Sequence, residues 1–104
     1  MATILLAGVD PLFADELQKL LAHHHMTSIE SAVEPDLVIA DIGRIESDEV
    51  SDAYPETPIL GYSSHPDPSQ VRAAQRAGFD RVVERALLLE SIEALVSELT
   101  MPLE

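Results

Sequence analysis

Short apolar runs alternate along the chain with segments in which apolar residues recur at helical spacing. Runs that are apolar at every position are typical of parallel strands covered by helices on both faces. The pattern predicts five strands, at Thr3 to Ala7, Met26 to Glu30, Leu37 to Ala40, Ile59 to Ser63 and Arg81 to Val83.

The predicted helices begin and end at recognisable signals. Asp10-Pro11 and Asp67-Pro68 each place an N-cap residue before a first-turn proline. Gly78 ends the second of these helices, and the apolar spacing of Leu89 to Leu99 predicts a last helix. Alternating strands and helices predict an α/β fold with a doubly wound parallel sheet.

Two of the predicted crossovers are shorter than this fold normally has. Only six residues, Ser31 to Asp36, separate the second and third strands, whereas a parallel crossover needs about a dozen or more. We therefore expect the second helix to be missing. The third helix should be short, because few apolar residues before Pro58 could line it: Ile45, Val50, Ala53 and Tyr54.

Composition narrows the class of protein. The 104 residues are 46% hydrophobic, which fits one domain over residues 1–104 with one core. No apolar run is long enough to span a bilayer and no signal peptide is evident, so we expect a cytoplasmic protein. The absence of cysteine excludes disulfides and thiolate chemistry, and the net charge of −13 disfavours nucleic acids and anionic membranes as partners.

The residues that end the predicted strands are the first place to seek a site, because ligands of open α/β sheets bind outside the carboxyl ends of the strands. A carboxylate, a hydroxyl and a guanidinium at one crevice would suit a phosphoryl group on the carboxylate. Purely structural roles remain open for all three, namely a turn cap, a local backbone bond and a solvated charge. These strand-end residues are Gly8, Val9, Asp41, Ser63 and Arg85.

Four segments resemble the motifs of response-regulator receiver domains of two-component signalling. They are GVDPLF at 8–13, PDLVIADI at 35–42, PILGYSSH at 58–65 and AGFDRVVERA at 77–86. The resemblance implies that Asp41 is the phosphoacceptor-equivalent, Ser63 the switch hydroxyl and Arg85 the counter-ion. It also shows departures: Gly8 and Val9 stand where the family has the acidic pair that helps to hold Mg²⁺, and Arg-Ala replaces the family's Lys-Pro.

The resemblance therefore implies a degenerate, shortened pseudo-receiver, with a flavodoxin-like doubly wound sheet in the strand order 2-1-3-4-5. We expect a stand-alone regulatory protein-interaction module of bacterial signal transduction, not an enzyme, with no cofactor and weak or absent Mg²⁺ binding. Asp10 should be occupied in capping the first helix. If the missing acidic pair is the only fault, exchanging Gly8 and Val9 for aspartate should restore the metal site, provided that Asp10 keeps its cap. Two alternatives stay open: an active phosphoacceptor using Asp41, and a small flavodoxin-like ligand binder or enzyme.

A protein partner or a second copy is the expected ligand, and a histidine kinase is doubtful. The family's usual dimer surface corresponds here to Val71, Val83 and Leu88. A second possible contact is the face of Leu37 to Ala40, which a reduced helical layer would leave uncovered. The three consecutive histidines at 23–25 point in different directions on a helix, so we predict no metal site there.

Overall fold

A computed structural model describes residues 3–21, 25–28, 35–63 and 67–100. All strand pairs are parallel, and the sheet has the order β2-β1-β3-β4-β5. The predicted fold class and strand order are confirmed. In chain order the elements are β1 Thr3–Ala7, α1 Pro11–Leu20, β2 His25–Ser28, β3 Leu37–Asp41, α2 Ser47–Ala53, β4 Ile59–Ser63, α3 Pro68–Ala77, β5 Arg81–Glu84 and α4 Arg85–Thr100.

The helical layers agree with the short crossovers where the structure describes them. α2 has only seven residues, as expected for a shortened third helix. The connection from β2 to β3, where we predicted a missing helix, runs through residues 29–34, which lie outside the described residues. The first two histidines of the run at 23–25 also lie outside them, whereas His25 begins β2, so its expected position on a helix is wrong.

Helices cover both faces of the sheet and create two apolar clusters. Successive strand residues point to opposite faces, so each strand contributes to both. We call the first cluster the α1/α4 core: Ile4, Phe13, Leu17, Leu21, Leu37, Ile39, Leu60, Tyr62, Leu88, Ile92, Leu95 and Val96. The second is the α2/α3 core: Leu5, Ala7, Val38, Ala40, Ile42, Val50, Ile59, Ala74 and Phe79.

The expectation of an uncovered face on the third strand is wrong. Every residue from Leu37 to Ala40 is 0% exposed. Although α2 is short, its Val50 reaches the cluster beneath it, and Phe79 adds a large ring to the same side. This face therefore offers no surface for self-association.

Phe79 approaches the sheet closely because Gly61 has no side chain. A Cβ placed on Gly61 would lie 2.8 Å from Phe79 Cδ2 and 2.9 Å from Ile42 Cγ2. Both distances are shorter than packed carbon atoms allow. The glycine is thus required for the packing of the α2/α3 core.

The predicted ends of α3 are confirmed, whereas the predicted exposure of Leu88 in α4 is wrong. The Asp67 carboxylate accepts a 2.9 Å hydrogen bond from the Ser69 amide, and Gly78 ends the helix in the left-handed region at φ 102°. In the last helix, Leu88 is 0% exposed instead of lying on the surface, whereas Leu87 is 47% exposed. The reason is that α4 already begins at Arg85 and places Leu88 in its first turn, against the sheet. The helix is kinked at Ser91, and Ile92 continues the buried face beyond the kink.

Candidate functional site

Asp41 ends β3 at the carboxyl edge of the sheet, in register with Tyr62 of β4. Its side chain is half-buried, and its Oδ1 accepts a 2.9 Å hydrogen bond from the Gly43 amide. The Asp41 carbonyl also accepts hydrogen bonds from the amides of Arg44 and Ile45, at 3.0 and 3.2 Å. The aspartate therefore caps the turn that leads into α2, which is one of the structural roles that the sequence left open.

Tyr62 places a buried phenol beside this carboxylate. The residue is 2% exposed, and its ring centroid lies 4.9 Å from that of Phe13. Burial, and secondly the charge of Asp41, raise the pKa of the Tyr62 hydroxyl far above its ordinary value of 10.0. Arg85 and Arg44 act in the opposite direction on this pKa. The hydroxyl therefore lies in the field of both carboxylate and guanidinium groups.

Arg85 contacts an aromatic ring of α1 across the top of the α1/α4 core. Its Cζ lies 4.3 Å from the centroid of the Phe13 ring, which is cation–π geometry. Within the described part of the chain, no ion pair joins Arg85 to Asp41. The predicted counter-ion is thus near the site but is engaged with Phe13.

Ser63 is buried at 5% exposure and is still part of β4. Because adjacent strand residues point to opposite faces, Ser63 lies on the α2/α3 side when Tyr62 lies on the α1/α4 side. No hydrogen bond joins Ser63 to Asp41 among those of the described residues. The two predicted site residues lie in adjacent strands, and no hydrogen bond of the described residues joins them.

The position of the first missing acid, Gly8, is closed by Ile45. Gly8 has a φ of 67°, and a Cβ built on it would lie less than 3.0 Å from Ile45 Cγ2. Val9 is half-buried and packs against the α1/α4 core. Exchanging both residues for aspartate would therefore create a clash at position 8 and place a carboxylate at a packed apolar position. The missing ligands are thus not the only fault of the site, which was the condition for restoring it by this exchange.

Asp10 does not cap α1 with its side chain, contrary to our expectation. It occupies the N-cap position, and its carbonyl accepts a 2.8 Å hydrogen bond from the Ala14 amide, but its carboxylate makes no cap bond. The carboxylate lies instead 4.0 Å from Arg44 Nη1, with both side chains about half exposed. At this distance and exposure the two charged groups form only a weak ion pair.

The residues around Asp41 do not fit the Mg²⁺ site of receiver domains. Mg²⁺ requires near-octahedral oxygen ligands and binds through one or two carboxylates. Here Asp41 accepts the Gly43 amide, Asp10 is next to the Arg44 cation, and Ile45 occupies the space beside Gly8. The described residues contain no group of three acidic, histidine or cysteine side chains that could hold a metal ion.

The three residues of the predicted dimer surface do not form one exposed patch. Val71 is half-buried against the α2/α3 core, whereas Val83 is half-buried against the α1/α4 core. Leu88 is fully buried. Only the two valines, at the β5 edge of the sheet and on α3, remain partly available to a partner.

Sequence reasoning missed three residues that define this site: Tyr62, Arg44 and Ile45. Tyr62 could have been found by aligning the ends of β3 and β4, since it precedes Ser63 directly. Arg44 and Ile45 follow Asp41 by three and four residues, which is the span of one turn. No local signal indicates that they fold back over Gly8 and Asp10.

Solved structures of response-regulator receiver domains resemble this fold along nearly its whole length. The phosphorylated cyanobacterial phytochrome response regulator RcpA has a TM-score of 0.81 at 11% identity, covering 99% of this chain and 96% of its own. A response regulator from Thermotoga maritima has a TM-score of 0.78 at 13% identity, with coverages of 96% and 98%. The signal receiver domain of an HD domain-containing protein from Pseudomonas fluorescens Pf-5 gives 0.80 at 17%, with coverages of 93% and 92%.

These similarities confirm the resemblance that the motifs predicted: the protein has the flavodoxin-like fold of a response-regulator receiver domain of two-component signalling. At such low identity they establish the fold alone. No protein-family profile and no curated protein sequence matches the chain. Among the described residues, no helix has the length and apolar character needed to cross a membrane.

Proposed function

We propose that this chain is a pseudo-receiver: a cytoplasmic regulatory domain over residues 1–104 that acts in bacterial signal transduction by binding protein partners, with little or no Mg²⁺-dependent phosphorylation of Asp41. Receiver domains as a class are regulatory modules that interact with other proteins, which supports the first part. The chemistry of the strand ends supports the second.

The observation that carries the proposal is the contact between Ile45 and Gly8. An acidic residue is not merely absent at position 8, because the space that its Cβ would need contains the Ile45 side chain. A carboxylate attacking an anionic phosphoryl group needs its charge neutralised. Arg44, with its guanidinium beside Asp10, supplies one cation to the acidic groups but no ligand oxygen.

The first test treats the full chain with acetyl phosphate and Mg²⁺ and measures its intact mass. We expect no substantial phosphate increment on the wild-type chain, and the Asp41→Asn variant is the matched control. A large increment that Asp41→Asn abolishes would establish the active phosphoacceptor instead. Asp41 is partly exposed at the end of β3, where a phosphoryl donor can reach it. Phosphorylation of Asp41 is therefore the alternative that this test has to exclude.

A second test asks whether Ile45 closes the site. The double variant Gly8→Asp, Val9→Asp should remain unmodified and lose stability. Adding Ile45→Ala removes the clashing methyl group, and aspartate tolerates a positive φ better than most residues. We therefore expect Mg²⁺-dependent modification only in the triple variant. Full activity of the double variant would show that Ile45 does not close the site.

A further inference from the structure

Helix α2 uses one of its flanks for contact with α3. Ser47 is buried on this flank, and the Ser51 hydroxyl donates a hydrogen bond to the Ala77 carbonyl at the end of α3. Tyr54, one turn further, is half-buried against the α2/α3 core. The spacing of 47, 51 and 54 is that of one helical face.

The opposite flank of α2 forms an apolar groove that no other helix of the described residues lines. Glu46, Glu49, Val50 and Ala53 follow one another at helical spacing and, with Ile45 and the stem of Arg44, enclose about 250 Å³. Val50, 5% exposed, and the half-buried Ile45 supply branched aliphatic side chains, while Ala53 and both glutamates are exposed. We call this feature the α2 groove. Its dimensions suit an aliphatic side chain entering from outside.

The charges around the α2 groove specify what can enter it. Glu46, Asp48, Glu49 and Asp52 are all exposed, and Ser47–Ala53 contains no lysine or arginine. The guanidinium of Arg44, at one end, is oriented towards Asp10. A second copy of the chain would bring the same carboxylates and a further charge of −13, so like charges would oppose each other. A basic partner meets no such repulsion.

We propose that the α2 groove binds a basic segment of a protein partner, which inserts an aliphatic side chain between Ile45, Val50 and Ala53 while its lysines or arginines pair with Glu46 and Glu49. The inference rests on the proposed function, since it names the surface and the partner chemistry of the same interaction module. The aliphatic contact supplies the buried area, and the carboxylates supply the orientation and discriminate against acidic segments.

The test titrates the ¹⁵N-labelled full chain with a synthetic amphipathic helical peptide of leucine, alanine and lysine. Amide shift changes should concentrate at residues 44–53, and the same peptide with glutamate for lysine should not bind. Glu46→Gln with Glu49→Gln should weaken binding about four- to twenty-five-fold, since each exposed pair contributes about two- to fivefold. Ala53→Arg should weaken it more than tenfold because a large cation fills the groove.

Matched variants on the other helical layer keep the test specific. Glu16→Gln with Glu90→Gln removes the same charge from α1 and α4, and Ala94→Arg adds the same cation to α4; all three positions are exposed. We expect these variants to change the affinity less than twofold. Equal weakening by both glutamate pairs, or shift changes spread over the whole acidic surface, would overturn the proposal.

Further measurements distinguish a failure of the groove proposal from a failure of the proposed function, and a basic partner from a second copy of the chain. Self-association by sedimentation that Ala53→Arg abolishes would place a second copy in the groove and overturn the basic-partner proposal. The Asp41→Asn variant should bind the peptide as the wild-type chain does. Phosphorylation of Asp41 alongside normal peptide binding would defeat the proposed function alone, and failure to bind with an unmodified Asp41 would defeat the groove alone.

Discussion

Gly8→Ala tests the packing that closes the receiver-type site. A φ of 67° is unfavourable for alanine by about 1–2 kcal/mol. Alanine also reduces the conformational entropy of the unfolded chain, which offsets about 0.4–1 kcal/mol of this loss. The new Cβ also overlaps Ile45 Cγ2, and overpacking of this kind costs about 1–3 kcal/mol. We expect the free energy of unfolding to fall by about 1–5 kcal/mol in total, a large part of the roughly 5–15 kcal/mol typical of a domain.

Substitutions of Ile45 divide this loss into its two causes. Ile45→Val keeps the Cγ2 methyl group, so Gly8→Ala should cost as much in that background as in the wild-type chain. Ile45→Ala removes the methyl group and leaves only ordinary contacts of 3.7 Å, to the Cβ atoms of Arg44 and Ile45. In that background the cost should drop to the backbone contribution of about 1 kcal/mol or less.

Urea unfolding of the four chains of each double-mutant cycle measures the coupling energy. A coupling of about 1–3 kcal/mol with Ile45→Ala, and none with Ile45→Val, is the expected pattern. If Gly8→Ala costs less than about 1 kcal/mol, or if the alanine cycle is additive within about 0.5 kcal/mol, the steric closure of the site is refuted.

Three further predictions follow from the core and the site. Gly61→Ala should lower the free energy of unfolding by about 1–3 kcal/mol because its Cβ meets the ring of Phe79. Gly43 is exposed and the nearest contact of its Cβ would be at 3.4 Å, so Gly43→Ala should change the free energy of unfolding by less than about 1 kcal/mol. Equal effects of the two variants in urea unfolding would contradict this prediction. The fold raises the pKa of the Tyr62 phenol, so above about pH 10 the phenol ionises more readily in the unfolded chain than in the folded one. The free energy of unfolding should therefore decline above about pH 10 by up to roughly 1.4 kcal/mol per pH unit. The same alkaline decline in a Tyr62→Phe chain would show that this phenol is not the cause. Arg85→Met should cost about 0.5–1 kcal/mol through loss of the cation–π contact, and a loss in thermal unfolding that 1 M salt removes entirely would indicate a simple surface ion pair instead.

Much of the architecture is local in origin and could be predicted from the sequence. The continuous apolar run of Leu37 to Ala40 identifies a central strand, and the Asp67 cap and Gly78 mark the ends of α3, because each signal depends on neighbouring residues. The alternation of strands and helices predicts a doubly wound parallel sheet, and the receiver-domain motifs imply the order of its strands. The motif around Asp41 likewise indicated which strand end to examine.

What only the tertiary structure decided depends on contacts between segments far apart in the chain. That Leu88 is fully buried while Leu89 is only half-buried against the same core depends on where α4 begins after β5. The position of Tyr62 beside Asp41 depends on the register of β3 and β4. The closure of Gly8 by Ile45 depends on how the turn after β3 packs over the end of β1. The distance between these two segments in space is not encoded by the spacing of residues along the sequence.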